Sequence, residues 1–591
     1  MQDGGSSNRS SGTGTHPTNY RRERLRSRAK RKIYYLSPAP HRTPQPVKSR
    51  KMDAASLALG IAALLAAFDG AVNGYLRIEE FFDDNTGCLD LGLAYHVQKH
   101  RLGAWGDYFK VHDETGCLLL KESENTKTLI SKILARISAN HEAAQKFLTR
   151  YAMESKDSPP SPKNEAERFQ LESTFISSLS KLQISKKQKS RFRWVIKDRK
   201  KFAEIVNTLK EQNDELYAVL SPRDTDTLIR TLSSYVLAAI NSIESLKTLQ
   251  SVSRDVQTLV LLGLSAKLKE MEKSTDTGES VKHLDKLSLK ISSHSYRAFG
   301  WYHDEGAMDE AVWVEWRYVT PMLSPSDQTE LTRRIQTLGA MLTAVTLSEL
   351  RIPRCLGIFE DTDYASNPTS QGLARTGFVY AFPGEFDPFK PPKSLLDIIS
   401  ETKEAPFLGD RFRLAFTLAS SLSLLHASNW LHKSFRGDNI LFFRDKKEPR
   451  PRFPRLQAPY LAGFEFSRRV GDSTLGYRPT GSGELDYYYH PDVVEHGFTK
   501  ARELYSLGVV LYEIAWWRPL GKKLNPGKKD MTLDAYRELL IANLDQVGSM
   551  MGEIYRDVVG ACLTCDFPDD EEDFARAVLM KVIHELETCN A

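Results

Sequence analysis

At 591 residues the chain has room for roughly three or four units of ~150 residues, or fewer large ones, and its 41% apolar and 10% aromatic content supports sizeable buried cores. The net charge of +5 is unevenly spread: residues 1–51 hold 13 Lys/Arg against Asp3 and Glu23, a net of +11, and +5 less +11 leaves −6 for the rest. A mildly acidic body with a basic tail does not imply nucleic-acid binding by the whole protein.

The six cysteines (Cys88, Cys117, Cys355, Cys562, Cys565, Cys589) are scattered and follow no secretory leader, the pattern of a reduced, intracellular protein. Cys562-x-x-Cys565 lacks a second pair and a His cluster, and reads as two cysteines at a helix end.

Residues 1–20 are Gly/Ser/Thr/Asn-rich, RRERLRSRAKRK follows, and a Pro-containing stretch runs to Lys51. This composition predicts a solvated, disordered tail over 1–51. Nuclear import, mitochondrial targeting and anionic-lipid binding are the functional alternatives. For the body, a cytoplasmic location is expected, with membrane association on activation.

Met52 opens a different texture, MDAASLALGIAALLAAFDGAVNGYLRIEEFF. Asp53 can cap a helix whose apolar run, 15 residues long, goes from Ala54 to Phe68. That run falls short of the ~20 residues needed to span a bilayer. It predicts a buried bundle helix whose Leu57, Leu59, Ile61, Leu64, Leu65 and Phe68 could enter a membrane once the bundle opens.

Helical periodicity continues through Leu93, Val97, Trp105 and Phe109, then Leu129, Ile133, Leu134 and Ile137. A Ser/Pro/Lys-rich insert at about 154–190 is expected to be a loop or partly disordered. Phe202, Ile205, Val206 and Leu209 restart the stripe. With no Pro after Pro222, one long helix is expected over 225–272. Residues 52–272 therefore predict an all-α bundle.

MDAASLALGIAALLAAF, HRLGAWGDYF and RFRWVIKDRKKFAEIVNTLKEQNDELYAVL resemble fungal prion-inhibition-and-propagation (HeLo) domains over about 52–272. The resemblance implies a helical bundle linked to heterokaryon-incompatibility cell death, with an N-terminal helix that acts on membranes.

A polar linker is expected over 273–293. Strand signals follow in AFGWY, AVWVEWRYV, RIPRCLGIF and TGFVYAFP, with a helix at 326–346 and another in SLLDIIS. Strands followed by helices give an α+β order over 294–588.

Leu424 to Phe443 reads LLHASNWLHKSFRGDNILFF: a helical run, His432, and Asn439 seven residues later, just before an apolar strand. This layout resembles the protein-kinase catalytic loop H-R-D-L-x-x-x-N. YYYHPDVV (His490, Pro491, Asp492) resembles the A-P-E segment, and ELYSLGVVLYEIAWWRPL, with Glu503, resembles the large-lobe helix that anchors the loop. The resemblance implies a two-lobed protein-kinase-like fold, and the whole chain is then a multidomain protein: an all-α HeLo-like bundle followed by that fold.

Positions that would handle phosphate, metal and proton depart from the family's pattern. RAFGWYHDEGAMDEA contains no G-x-G-x-x-G, and Arg317 in VEWR stands where the phosphate-binding Lys is expected. After Asp327, Glu330 is the acid in the following helix, with no evident partner. Ser434 takes the place of the base, Arg436 that of the loop Lys, and Asn439 remains as a metal ligand. In YLAGFEFSRR, Gly463 and Glu465 flank Phe464 where D-F-G is expected, which removes the principal carboxylate for Mg²⁺.

The degenerate set His432, Ser434, Arg436 and Asn439 thus predicts a pseudokinase used as a switch or scaffold, coupled to the cell-death-type bundle. The alternative is an active, unconventional Ser/Thr kinase that uses Asp438 as base and Glu465 as metal ligand. The candidate cofactor is ATP, with or without Mg²⁺, held by Arg317, Asn439 and Gly463. Protein partners, membrane lipid at the 54–68 helix and self-association on activation are the expected interactions. The order of domains is also similar to necroptosis executioners of the mixed-lineage kinase-domain-like kind, which place a helical bundle before a pseudokinase.

Overall fold

The computed structural model describes residues 63–74, 89–113, 117–152, 189–254, 259–274, 281–285, 289–291, 297–304, 308–319, 324–370, 373–384, 386–402, 404–446, 454–464, 467–470, 483–520 and 531–589. The basic tail, Leu57, Leu59, Ile61, most of the insert at 154–190 and Glu465 lie outside them.

The N-terminal region is helical. Helix α1 covers residues 63–74, followed by α2 (Leu89–Tyr108), α3 (Glu124–Ala152), α4 (Lys189–Tyr217), α5 (Pro222–Ala239), α6 (Ile243–Ser253) and α7 (Val260–Lys273). Helix α2 is apolar on two faces and is therefore central. Leu102, Trp105 and Phe109 join Leu64, Phe68, Ile133, Ile137, Phe202 and Leu209 in one core. Leu93 and Val97 join Leu232, Val236, Leu246 and Leu262 in another.

The long helix expected over 225–272 is three helices instead. Ile240 adopts an extended backbone, and the Ser242 side chain caps α6 by accepting from the Ser245 amide at 3.4 Å. Serine competes well for such cap positions, so a break needs no proline.

The C-terminal region combines helices with small antiparallel sheets. Strands β1 (Leu289–Ile291), β2 (Arg297–Tyr302), β3 (Glu310–Val319), β4 (Cys355–Glu360) and β5 (Ala374–Ala381) form one antiparallel sheet in the order β1-β2-β3-β5-β4. Part of the expected linker belongs to this sheet: β1 is its edge strand, and Leu284 N–H donates to Ile358 O at 2.8 Å. Central strand β3 is buried on both faces from Val312 to Trp316, with Trp313 stacked on Tyr380. Its single acidic residue in that run, Glu315, lies opposite Arg297 of β2.

Helix α8 (Pro325–Ala344), capped by Ser324, packs against β4. Helix α9 (Leu395–Glu401) begins in a capping box between Ser394 and Asp397. Helix α10 (Leu408–Ala427) leads through the short strand β6 (Trp430–Leu431) and the loop 432–439 to β7 (Ile440–Phe442). Helix α11 (Lys500–Trp516) is buried from Glu503 to Ala515. A last helical stretch starts at α12 (Glu571–Val578) and continues through a wider turn to Thr588.

The described residues between 57 and 591 pack as one compact unit. Leu261, Leu268 and Met271 of α7 belong to the same core as Leu338 of α8 and Leu422 of α10. Across this seam Trp430 Nε1 donates to Leu268 O at 3.2 Å, Ser428 Oγ to Ser265 O at 3.3 Å and Arg469 to Glu272 O at 2.9 Å. The last helical stretch closes a second seam: Arg576 pairs with Asp107 at 3.1 Å, Glu585 with Lys110 at 3.2 Å, and the His584 ring meets Tyr108 edge-on.

Candidate functional site

The loop after α10 is organised by a buried carboxylate. Glu503, fully enclosed on α11, accepts from His426 Nε2 at 2.8 Å, from the His432 amide at 3.2 Å and from the Lys433 amide. Burial opposes its charge, but the His426 hydrogen bond, the nearby imidazoles and the backbone amides outweigh that and hold its carboxyl below the usual range. This anchoring lets Lys433 keep a left-handed backbone (φ 63°), an unfavourable conformation for a residue with a Cβ.

His432 is sealed in the core, its ring 4.5 Å from Phe464, and burial pushes its imidazole down to about 4. Ser434 is equally enclosed. Its Oγ finds no hydrogen-bond partner among the described residues, while its carbonyl accepts from Asn439 Nδ2 at 2.8 Å. That bond fixes the orientation of the Asn439 amide and aims Oδ1 at Arg297.

Arg297 reaches across from β2 into the loop. Its Nε donates to Glu315 Oε1 at 2.9 Å, Nη1 to Asp438 O at 3.0 Å and Nη2 to Asn439 Oδ1. Glu315 in turn accepts the Gly463 amide at 2.8 and 2.9 Å, and its Oε2 accepts the Phe464 amide at 3.4 Å. Six residues from two strands and two loops thereby meet around one ion pair, Arg297 with Glu315.

Gly463 sits at φ 85°, and a Cβ there would overlap the Asn439 amide. Only glycine meets both conditions, so no carboxylate can stand at that position while Asn439 keeps its place.

Other predicted positions fall elsewhere. Asp438 is gripped by Arg436, with Nε and Nη2 at 3.1 and 3.2 Å from its two oxygens, and Arg436 Nη1 also donates to the Tyr489 hydroxyl. Arg317 is buried on the same face of β3 as Glu315, and burial pushes its guanidinium down to about 10. Together with Arg468 it acts on Lys433, whose ammonium is brought to about 7, chiefly by burial. Glu330 pairs within its own helix with Arg333 and Arg334, both at 2.7 Å, rather than with a β3 residue.

The structure therefore brings Ser434, Asn439 and Gly463 together, and places Arg436 with Asp438 beside them. Arg297 and Glu315 were not singled out in the sequence. The signal was a lone acid inside the apolar run VWVEW, opposite a lone base in RAFGWY.

In the bundle, Leu64 and Phe68 are buried and Leu65 is partly so. Phe68 lies 6.2 Å from Trp105 and over Gly106, where any Cβ would collide with its ring. Nearby, Tyr95 meets His141 Nδ1 at 3.1 Å, and burial pushes the His141 imidazole down to about 3.

Cys562 lies in the last turn of the helix Glu553–Thr564 and Cys565 caps it with a left-handed backbone; burial raises both thiols, Cys565 to about 11. Among the described residues, no His/Cys/Asp/Glu group suited to holding a metal ion is present, and no helix is long and apolar enough to cross a membrane.

Comparison with known proteins assigns the two regions separately. No curated relative matches the chain. Residues 382–589, which include the loop and Gly463, match a domain of unknown function (DUF7580). Residues 56–249, the helical region from before α1 into α6, match the HeLo family described as prion-inhibition and propagation.

Proposed function

We propose that the chain is a regulatory protein of the cell-death or incompatibility type, in which a HeLo-like effector bundle is held closed by a kinase-like C-terminal region without phosphotransfer activity. The observation that carries this reading is the double seam between the regions, with the apolar core shared by α7, α8 and α10 and the charged clasp from Arg576 and Glu585 to Asp107 and Lys110. The effector element is α1, whose Leu64 and Phe68 side chains are spent on the bundle interior at rest.

The kinase-like reading of 294–588 rests on the helix–loop–strand order around His432 and Asn439 and on the acidic anchor at Glu503. Phosphotransfer is disfavoured by Ser434, which is fully enclosed, and by Asp438, whose two oxygens are held by Arg436. Losing a positioned base typically removes ~10²–10⁴-fold in rate.

The test uses the full chain and vesicles containing anionic lipid. Arg576→Glu combined with Glu585→Lys places like charges against Asp107 and Lys110. The double variant should release vesicle contents faster than the wild type, and adding Asp107→Lys with Lys110→Glu should restore the slow rate. Equal leakage from a folded double variant and the wild type would remove the restraint from the reading.

A further inference from the structure

The kinase-like reading implies a nucleotide with its Mg²⁺ between the β-sheet and the loop, so whether the residues present fit that group can be judged from the cleft itself. Three oxygens converge there: Glu315 Oε1, Asp438 O and Asn439 Oδ1. A carboxylate, a backbone carbonyl and an amide oxygen form a hard-oxygen set that suits a divalent cation. All three are already engaged by one guanidinium, and the Glu315 carboxylate is further committed to the Gly463 and Phe464 amides. Gly463 cannot be exchanged for a carboxylate without displacing Asn439.

We propose that Arg297 is a built-in cation: its guanidinium takes the place of a metal ion, fastens the sheet to the loop, and leaves the wild-type cleft unable to take a metal nucleotide. This inference rests on the kinase-like reading for what the cleft would otherwise hold, but the oxygen set can be probed without a nucleotide.

The physics favours a fixed cation here. Glu315 is fully buried, and an isolated carboxylate in such a place is strongly disfavoured unless a positive charge and hydrogen bonds accompany it. Arg297 supplies the charge from the neighbouring strand at the directly opposed register position, so the two residues are preassembled when β2 pairs with β3. An arginine covers three acceptors at once with a planar fork, which a lysine ammonium cannot do in the same geometry. The remaining guanidinium contacts, to Asp438 O and Asn439 Oδ1, then tie that strand pair to a loop 141 and 142 positions away. A diffusible ion could be lost by dilution; this one cannot.

The test is Mn²⁺ binding to the full chain, read by electron paramagnetic resonance and by the shift in melting temperature, with no nucleotide present. Wild-type protein should bind no Mn²⁺ at this cleft. Arg297→Ala frees the three oxygens and should bind Mn²⁺ about tenfold or more tighter than any site on the wild type, with a melting temperature that Mn²⁺ partly restores. Adding Glu315→Gln should abolish the gain.

Should the alanine variant misfold, Arg297→Gln carries the same expectation, because it removes the positive charge while keeping more of the side chain's packing. Folded Arg297 variants that bind no more Mn²⁺ than the wild type would overturn the proposal. Wild-type binding of Mn²⁺ that Asn439→Ala removes would do the same. ATP binding to the wild type without any metal would instead leave Arg297 as the resident cation and revise the scaffold reading.

Discussion

The bundle around α1 and the cleft around Arg297 are both buried, yet they are held by different forces. Around Phe68 the contacts are apolar and additive, each enclosed large side chain contributing ~1.5–3 kcal/mol with little directionality. Around Arg297 and Glu503 the contacts are charged and directional, and each member is satisfied only while its partners stay. Such a cleft does not loosen by degrees. A helix packed by apolar contact can be withdrawn and reused in another apolar setting, while a saturated polar network gives a region a fixed shape. The contrast suits a movable element held by a rigid one.

The most damaging single change should therefore fall in the polar network. Glu503→Gln keeps the side-chain volume but turns an acceptor into a donor facing His426 or the loop amides. It should cost ~3–5 kcal/mol, read as a lowered midpoint in denaturant unfolding. A loss below ~1 kcal/mol would mean that the loop is not organised by that carboxylate.

Acid sharpens the comparison from the bundle side. His141 titrates near 6.5 when unfolded, but burial holds it at about 3 in the folded bundle. Between those values the unfolded chain binds a proton that the folded chain refuses. The stability is therefore complete above pH 6.5 and is lost progressively as the pH falls toward 3, by an amount on the order of 5 kcal/mol over the full window. His432, held at about 4, adds a slope of the same sign from the cleft. Glu513 opposes both: burial raises it to about 7, so its contribution declines as pH rises from its ordinary value of 4.5 to 7. Melting temperatures between pH 7.5 and 5 should fall with acid, and His141→Gln should flatten part of that fall. An unchanged slope would place the acid-sensitive group elsewhere.

The smallest effect is expected at Asp438. Its carboxylate is partly exposed and paired with Arg436, so Asp438→Asn should cost no more than ~1 kcal/mol. No phosphotransfer should be lost, because none is expected; a phosphotransfer signal that Asp438→Asn abolishes would overturn the inactive reading.

Much of this was legible in the sequence where the information is local. The stripe of Leu93, Val97, Trp105 and Phe109 announces α2, and the run into His432 announces a helix, a loop and a strand. What escaped was long-range. Alternation along β3 directs attention to Arg317, whereas the acid that meets the loop is Glu315, and its importance depends on residues 148 positions later. The break at Ser242 escaped because a serine cap is a weak local signal inside a strong helical period.

The crowding at Gly463 also bears on how this chain can change over generations. A carboxylate introduced there would strike Asn439, and a carboxylate introduced at the enclosed Ser434 would bring a charge into the core beside His432. Arg297 would still engage Glu315, Asp438 O and Asn439 Oδ1 after either change. On the kinase-like reading proposed above, each single step toward phosphotransfer is thus harmful on its own and useful only in company with the others, so single substitutions do not carry the cleft toward that activity.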